Sequence, residues 1–334
     1  MTVQNQQADE AWETSSRAQL DPRPVVSVLV VTFNHEQYLR RTVESIVEQH
    51  VSFPLEVVIA EDHSTDGTFQ IALQLQQQYP NITRIIHGPK NLGMIGNGRR
   101  GLAHCRGDYI ATCDGDDYWT DPYKLNRQIT EMRKRPEVGV CFTRGVILHA
   151  DGRREASWNY GLVERLIKVK ELLDCQGMLV PTASLLWRAE RLRRLPSWFW
   201  NAPVGDIFML LAGAMPAGVL YLPDITVAYR VAALGNWSSR QNADWRELRV
   251  AHSLRMLQCY ESAVVSFGLE RAWFRRLASG AHYVLMLELV TKGEYSAAFE
   301  HLREIAPRYF VSILARRFTE SKAVTKAREW LKAR

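Results

Sequence analysis

Val25-Val26-Ser27-Val28-Leu29-Val30-Val31, followed by Thr32-Phe33-Asn34, decides how the chain folds. Six of the first seven residues are Val or Leu, with no polar alternation. Such a run marks a strand buried on both faces, the kind found in parallel sheets. Working outward, Glu36 to Gln49 carries Leu39, Val43 and Ile46 at helical spacing. Leu55 to Ala60 reads as a second strand and Asp66 to Tyr79 as a second helix, closed by Pro80. Thr83 to Ile86 and Asp108 to Cys113 read as further strands, and Asp121-Pro122 opens a helix to about Arg135. Val138 to Phe142 and Gly145 to His149 read as two more strands. Strand and helix alternate, so the expected fold is α/β: a Rossmann-like, mostly parallel sheet flanked by helices. Ligands of such sheets bind beyond the carboxyl ends of the strands. That rule selects Thr32-Phe33-Asn34, Glu61-Asp62-His63-Ser64 and Asp114-Gly115-Asp116-Asp117.

Around this core, residues 1–24 are polar and aperiodic and read as a flexible tail. From about residue 241 the strand signal stops. Trp245 to Ser266, Glu270 to Thr291 and Ser296 to Ile305 read as helices, with a turn at Lys292-Gly293-Glu294 like that of a tetratricopeptide hairpin. The expected organisation is therefore a tail (1–24), an α/β domain (25–240) and a helical region (241–334).

The chain has 334 residues, 46% hydrophobic and 23% charged, enough apolar side chain for a sizeable core. Its net charge of +6 does not by itself point to nucleic acid, and none is expected as a partner. Eight Lys/Arg against two acids between Arg308 and Arg334 concentrate that charge in one segment. With Tyr309, Phe310, Ile313, Leu314 and Phe318 it has the pattern of a basic amphipathic helix. Such a helix lies on an anionic membrane surface, or packs on the domain or on another subunit as in a homo-oligomer. Five scattered cysteines without CxxC spacing read as buried free thiols in a reducing compartment. No apolar run reaches the ~18–20 residues that span a bilayer, and no signal peptide is visible. The expected location is cytoplasmic, peripheral to the inner face of the membrane if the tail binds lipid.

Asp114-Gly115-Asp116-Asp117 is the strongest chemical signal. Three carboxylates in four residues repel one another, and a hard divalent cation, Mg²⁺ or Mn²⁺, compensates them together with diphosphate oxygens. A solvated acidic turn is the alternative. Asp62 sits at a strand exit, where it can accept hydrogen bonds from a base or a ribose; capping of the following helix explains Ser64 to Thr68 better than it explains Glu61-Asp62. Gly96-Asn97-Gly98-Arg99-Arg100-Gly101 matches GxGxxG, but no strand stands directly before it and few residues remain for a helix after it. It reads as a flexible loop bordering the crevice at the strand ends, from which Asn91, Asn97, Arg99 and Arg100 could reach a diphosphate or sugar ligand.

In order along the chain, Val30-Val31-Thr32-Phe33-Asn34, Glu61 to Thr68, Asn91-Leu92-Gly93 and Gly107 to Trp119 resemble the family 2 glycosyltransferases of the GT-A fold. The resemblance covers about Val25 to Trp237. It implies an inverting transfer from a nucleoside diphosphate sugar, most commonly a UDP-sugar, to a saccharide or lipid-linked acceptor in surface polysaccharide or glycan synthesis. It implies that Thr32 and Asp62 contact the nucleobase, with Phe33, Asn34, Glu61 and Gly115 in the same donor motifs. Asp114 would lie near the ribose, and Asp116 would bind the metal. The catalytic base is implied at Asp206, in Gly205-Asp206-Ile207-Phe208-Met209, where a first-turn helix acid is the structural alternative. Tyr229-Arg230 and Trp237-Ser238 match a later motif, but Ala232 and Ala233 stand where relatives often carry His, and Gly205 where many carry Glu. Two rivals remain. One is an inactive nucleotide-sugar-binding scaffold. The other is a sugar nucleotidyltransferase, disfavoured because Thr32-Phe33-Asn34-His35-Glu36 lacks glycine.

Overall fold

The alternating pattern produces a sheet whose helices cover both faces. The computed structural model describes residues 11–174, 180–231 and 245–307. The elements are β1 (Trp12–Thr14), β2 (Val26–Thr32), α1 (Leu39–Val47), β3 (Leu55–Glu61), α2 (Thr68–Gln78), β4 (Thr83–His87), α3 (Gly93–His104), β5 (Tyr109–Asp114), β6 (Tyr118–Trp119), α4 (Lys124–Arg133), β7 (Val140–Leu148), β8 (Arg154–Ser157), β9 (Arg165–Ile167), α5 (Val169–Asp174), β10 (Leu186–Arg188), α6 (Ala189–Arg193), α7 (Asp206–Ala214), β11 (Val219–Arg230), α8 (Trp245–Phe267), α9 (Arg271–Lys292) and α10 (Tyr295–Glu304). Two compact units divide the chain, residues 1–243 and 244–334. The basic segment 308–334 and Cys175, Ala232, Ala233, Trp237, Ser238 and Arg240 lie outside the described residues.

In the first unit the sheet runs β1-β4-β3-β2-β5-β10-β7-β11-β6, with β8 on β7 and β9 on β11. The parallel expectation holds for β4, β3, β2 and β5, and again for β7 with β11. Beyond β5 the sheet is mixed, because β10 runs antiparallel between β5 and β7. Connections run outward from β2 through β3 to β4 and then return to β5, so the switch point lies between β2 and β5. Alternate residues Val26, Val28, Val30, Val57 and Ile59 pack in one core with Leu39, Val43 and Ile46 of α1 and with Ala72 and Leu75 of α2. Burying such side chains stabilises by about 1.5–3 kcal/mol each, which makes the strand register unequivocal.

Three expectations need correction. The GxGxxG stretch is not a flexible loop; it lies inside helix α3, the crossover between β4 and β5. The glycines themselves form the helix that seemed to lack room. A Cβ on Gly101 would fall 2.5 Å from Leu29 Cδ1 and 2.7 Å from Ala60 Cβ, so glycine lets α3 approach the other face of β2 and β3. The segment before Pro24 is not wholly a free tail. Trp12–Thr14 pairs antiparallel with β4, and Arg84 Nε donates to Glu13 Oε1 at 2.9 Å. Arg84 Nη1 also donates to the buried Glu56, at 3.0 Å, and so ties the added edge strand to the sheet. Finally, the two strands read at 138–149 are one, β7; Gly145 keeps the ladder continuous, since a Cβ there would meet Val227 Cγ2 at 2.8 Å.

The second unit holds α8, α9 and α10. Gly293, at φ +79°, ends α9 in the left-handed conformation that a helical hairpin requires. His282 Nδ1 and His301 Nδ1 share a 2.8 Å hydrogen bond between α9 and α10. Cys105, Cys113, Cys141 and Cys259 are buried free thiols. Among the described residues, no helix is long and apolar enough to cross a membrane.

Two stability outcomes follow from this packing. Gly101→Ala should cost about 1–3 kcal/mol by overpacking. Gly98→Ala, with nothing within 4 Å of its added Cβ, should gain about 0.5–1 kcal/mol. Equal effects on urea midpoints would contradict the packing of α3. The Arg84 hydrogen bond lowers Glu13 from 4.5 to about 2, against the opposing effect of burial. The stabilisation is therefore complete above pH 4.5 and is lost as pH falls towards 2. Glu13→Gln should lower the melting temperature at pH 7, and its difference from wild type should shrink by pH 3.

Candidate active site

Thr32, Glu61 and Asp114 end β2, β3 and β5 at one level of the sheet: Thr32 is opposite Glu61, and Val31 is opposite Asp114. The backbone continues the ladder past the strands. Asp62 N donates to Thr32 O at 3.1 Å, and Gly115 N to Val31 O at 2.9 Å. The acidic turn after β5 is braced by Thr42 of α1, whose hydroxyl lies 2.9 Å from Gly115 O and 2.6 Å from Asp117 O. Gly115 admits no side chain, because a Cβ would lie 2.6 Å from both His35 Nδ1 and Thr32 Oγ1. His35 lies against this turn. It is buried, with Nδ1 3.3 Å from Thr32 Oγ1. Burial pushes its pKa down, while Asp116 and Asp66 pull it up.

Asp206 arrives from far along the sequence, as the first residue of α7. Among the described residues its one hydrogen-bond partner is Thr182 Oγ1, at 3.4 Å. Thr182 is held beside β5, where Thr112 Oγ1 donates to Thr182 O at 2.8 Å. Trp119 Nε1 donates to the neighbouring Ala183 O at 2.9 Å. Asp206 is exposed at the start of α7, yet desolvation by the protein around it pushes its pKa up. Asp114 reports the convergence. Burial, then the charges of Asp116 and Asp206, push it up to about 8. Tyr229, on β11, is pushed up by burial and by Asp117, Asp114, Asp116 and Asp206 together. Four carboxylates therefore act on one tyrosine.

The remaining candidates divide. Asn34, at φ +56°, ties the two strand-exit loops: Thr65 N donates to its Oδ1 at 2.8 Å, and its own N donates to Ser64 Oγ at 3.0 Å. Phe33 is half-buried beside it. Glu61 accepts from His63 N and Ser64 N at 3.1 and 2.8 Å, closing its own turn. Asp62 accepts from Leu92 N at 2.8 Å and Gly93 N at 2.9 Å, with Arg100 Nη2 at 3.4 Å. Burial pushes its pKa up, and those donors oppose the shift. Asn91 Nδ2 donates to Asp62 O at 2.8 Å. Asn97 and Arg100 are buried: Asn97 Nδ2 donates to Ala60 O, and Arg100 Nη2 to Glu61 O and to Asn97 Oδ1. They anchor α3 to the end of β3, where a flexible loop was expected to reach outward. Arg99 is the exposed member, stacked 5.5 Å from the Trp200 ring. Trp198 packs on Phe208, and Phe199 beneath Gly205, so these two aromatics serve packing. A Cβ on Gly205 would lie 3.0 Å from Ile95 Cδ1, which leaves little room for the Glu common in relatives.

Thr182 was not singled out from sequence, Tyr229 was read only as part of a later motif, and Asp117 only as one carboxylate of the acidic cluster. Thr182 follows Pro181 with no local signal, and only the antiparallel entry of β10 brings it to the cleft. Asp117 could have been separated from Asp116 by the alternation of side chains at a turn: it points inward, its Oδ1 accepting Arg230 N at 2.8 Å.

The residues fit a hard cation. Asp116 is 6% exposed, yet its carboxylate receives no hydrogen bond from the described residues. Asp116 and Asp206 both act on Asp114, which a cation bound there would hold in its ionised form. Among the described residues no three side chains form a preassembled metal cage. A Mg²⁺ or Mn²⁺ ion commonly takes one or two carboxylates and completes its shell with phosphate and water.

Comparison with known proteins settles the lineage. The description "Glycosyl transferase family 2" matches residues 27–197, half of the chain. The chain belongs to glycosyl transferase family 2. An uncharacterized protein, Rv1520 of Mycobacterium tuberculosis, is 32% identical over 217 residues, 64% of this chain and 61% of the relative. The match thus spans less than two thirds of that relative's length. Staphylococcus aureus TarS 1–349, solved with UDP-GlcNAc, aligns with a TM-score of 0.60 at 16% identity, covering 85% of this chain and 82% of TarS. The mannosyltransferase PcManGT of Pyrobaculum calidifontis, solved with GDP-Man and Mn²⁺, gives 0.54 at 17% identity, covering 91% and 83%. These likenesses establish the GT-A type fold.

Proposed function

We propose that this chain transfers a sugar from a nucleoside diphosphate sugar to a hydroxyl of a saccharide or lipid-linked acceptor, with inversion at the anomeric carbon. One observation carries the reading: Asp206, the first residue of α7, is hydrogen-bonded at 3.4 Å to Thr182, whose carbonyl is held by Thr112 of β5, two residues before Asp114. That arrangement supports a reading in which a donor-side and an acceptor-side carboxylate work together at the switch point of the sheet. TarS and PcManGT, of the same fold, hold a uridine and a guanosine donor, so either nucleotide is compatible and a UDP-sugar is the preferred reading.

In this reading Asp206 takes the proton of the acceptor hydroxyl. The acceptor oxygen bonds to the anomeric carbon as the bond from that carbon to the diphosphate oxygen breaks, and the nucleoside diphosphate leaves. A carboxylate made more basic by its crowded setting suits that role. Thr182 holds its orientation. Thr32 and Asp62 border the base, and Asp114 the ribose. Asp116 would hold the divalent ion, which neutralises the negative charge developing on the diphosphate.

Titration calorimetry with UDP, GDP and dTDP, with and without Mn²⁺, tests the donor half. Asp116→Ala should abolish the Mn²⁺-dependent part of the affinity. Asp206→Asn should retain nucleotide binding and lose transfer by at least about 10²-fold. Near-normal turnover in Asp206→Asn would remove that residue from the chemistry. Nucleotide-sugar binding by wild type, with neither transfer nor hydrolysis across a panel of donors, would favour the scaffold alternative.

A further inference from the structure

Arg230, the last residue of β11, stands out among the arginines of the first unit. Pairing of Val227 with Trp119 and of Ala228 with Tyr118 delivers it to the acidic turn. Three kinds of contact then hold it. Its N–H donates to Asp117 Oδ1 at 2.8 Å, and its Nε donates to Asp116 O at 2.9 Å. Its guanidinium lies 4.7 Å from the ring centre of Tyr38 and 5.7 Å from that of Tyr118. A side chain held this way loses little further freedom when a ligand arrives.

What the contacts leave unused points to a ligand. Asp116 holds Arg230 through its carbonyl and not through its carboxylate. Among the described residues Arg230 makes no ion pair, and neither Nη atom has a hydrogen-bond partner. A cation with free Nη donors is thus anchored to the main chain of a residue whose carboxylate makes no ion pair with it. A group that satisfies both must carry anionic oxygens and share a metal ion with Asp116. The terminal phosphate of a nucleoside diphosphate does so, and a guanidinium fork matches its oxygens. Ala232 and Ala233, which follow closely in the sequence, have no donor side chain to offer.

We propose that Arg230 binds the β-phosphate of the donor and stabilises it as the leaving group. This rests on the nucleoside diphosphate sugar reading above. The clasp on Asp117 uses the backbone N–H, so substitution of the side chain leaves it in place. Asp117 Oδ2, buried and without a hydrogen-bond partner among the described residues, is a further acceptor on the same turn.

The test compares a diphosphate with its monophosphate. UDP and UMP, or the guanosine or thymidine pair if wild type prefers it, are titrated into wild type, Arg230→Gln and Arg230→Lys, with Mn²⁺ and with EDTA. The expected result is a rise of at least tenfold in the diphosphate Kd for Arg230→Gln, a smaller rise for Arg230→Lys, and a monophosphate Kd within twofold of wild type. Melting temperature checks that the variants fold; should Arg230→Gln fail to fold, Arg230→Lys carries the comparison. Equal loss for diphosphate and monophosphate, or no loss for either, would overturn the assignment. A wild-type chain that binds none of these nucleotides would instead sink the donor reading on which it stands.

Discussion

The repulsion that Asp116 and Asp206 exert on the buried end of Asp114 is the constraint on which the site depends. Carboxylates crowded into a protein-walled cleft are costly unless something opposes their charge. The chain spends neutral scaffolding on keeping them there. Thr42 bridges two carbonyls of the acidic turn, Gly115 presses against Thr32 and His35, and Thr112 secures the turn that carries Thr182. None of these contacts neutralises Asp116. A site that braces its backbone and leaves its charge unmatched is preorganised for a cationic or cation-bearing ligand.

A second set of polar residues stands behind the first and works differently. Glu61, Asp62, Asn97 and Arg100 are buried and hydrogen-bonded to one another or to main chain, and they join α3 to the end of β3. Their partners are chosen, so their task is largely to hold the strand exits level. Asp62 belongs to both sets. Its oxygens cap the start of α3, and a carboxylate has about four acceptor positions, so capacity remains for a base N–H. Arg230 is the counterpart on the other side of the acidic turn. It is anchored by main chain and aromatic rings while its outer donors stay open.

Most of the fold was legible because buried strands and amphipathic helices advertise their periods. Val28, Leu39, Ile59 and Leu125 all lie where the pattern puts them. Helix α3 was hidden for a physical reason. Glycine is a poor helix former, so Gly96, Gly98 and Gly101 lower the local signal, although Gly101 is what allows the helix to touch the sheet. Strand β1 was hidden because an edge strand draws its hydrogen bonds from a partner far away in sequence. At the site, Asp114 and Asp116 could be read from charge density alone. Asp206 needed the family resemblance, since Gly205-Asp206 by itself looks like the start of any helix. Asn97 and Arg100 resembled ligands because buried polar anchors and exposed binding groups use the same residue types; only burial separates them.

The most direct measurement is a crystal of the protein grown with Mn²⁺ and UDP, with anomalous data collected at the manganese edge. The expected map has one strong peak within about 2.0–2.3 Å of an Asp116 oxygen and of the diphosphate, in the cleft that Asp206 faces. A nucleotide bound away from β2 and β5, or a metal that bridges the diphosphate without Asp116, would contradict the central claim.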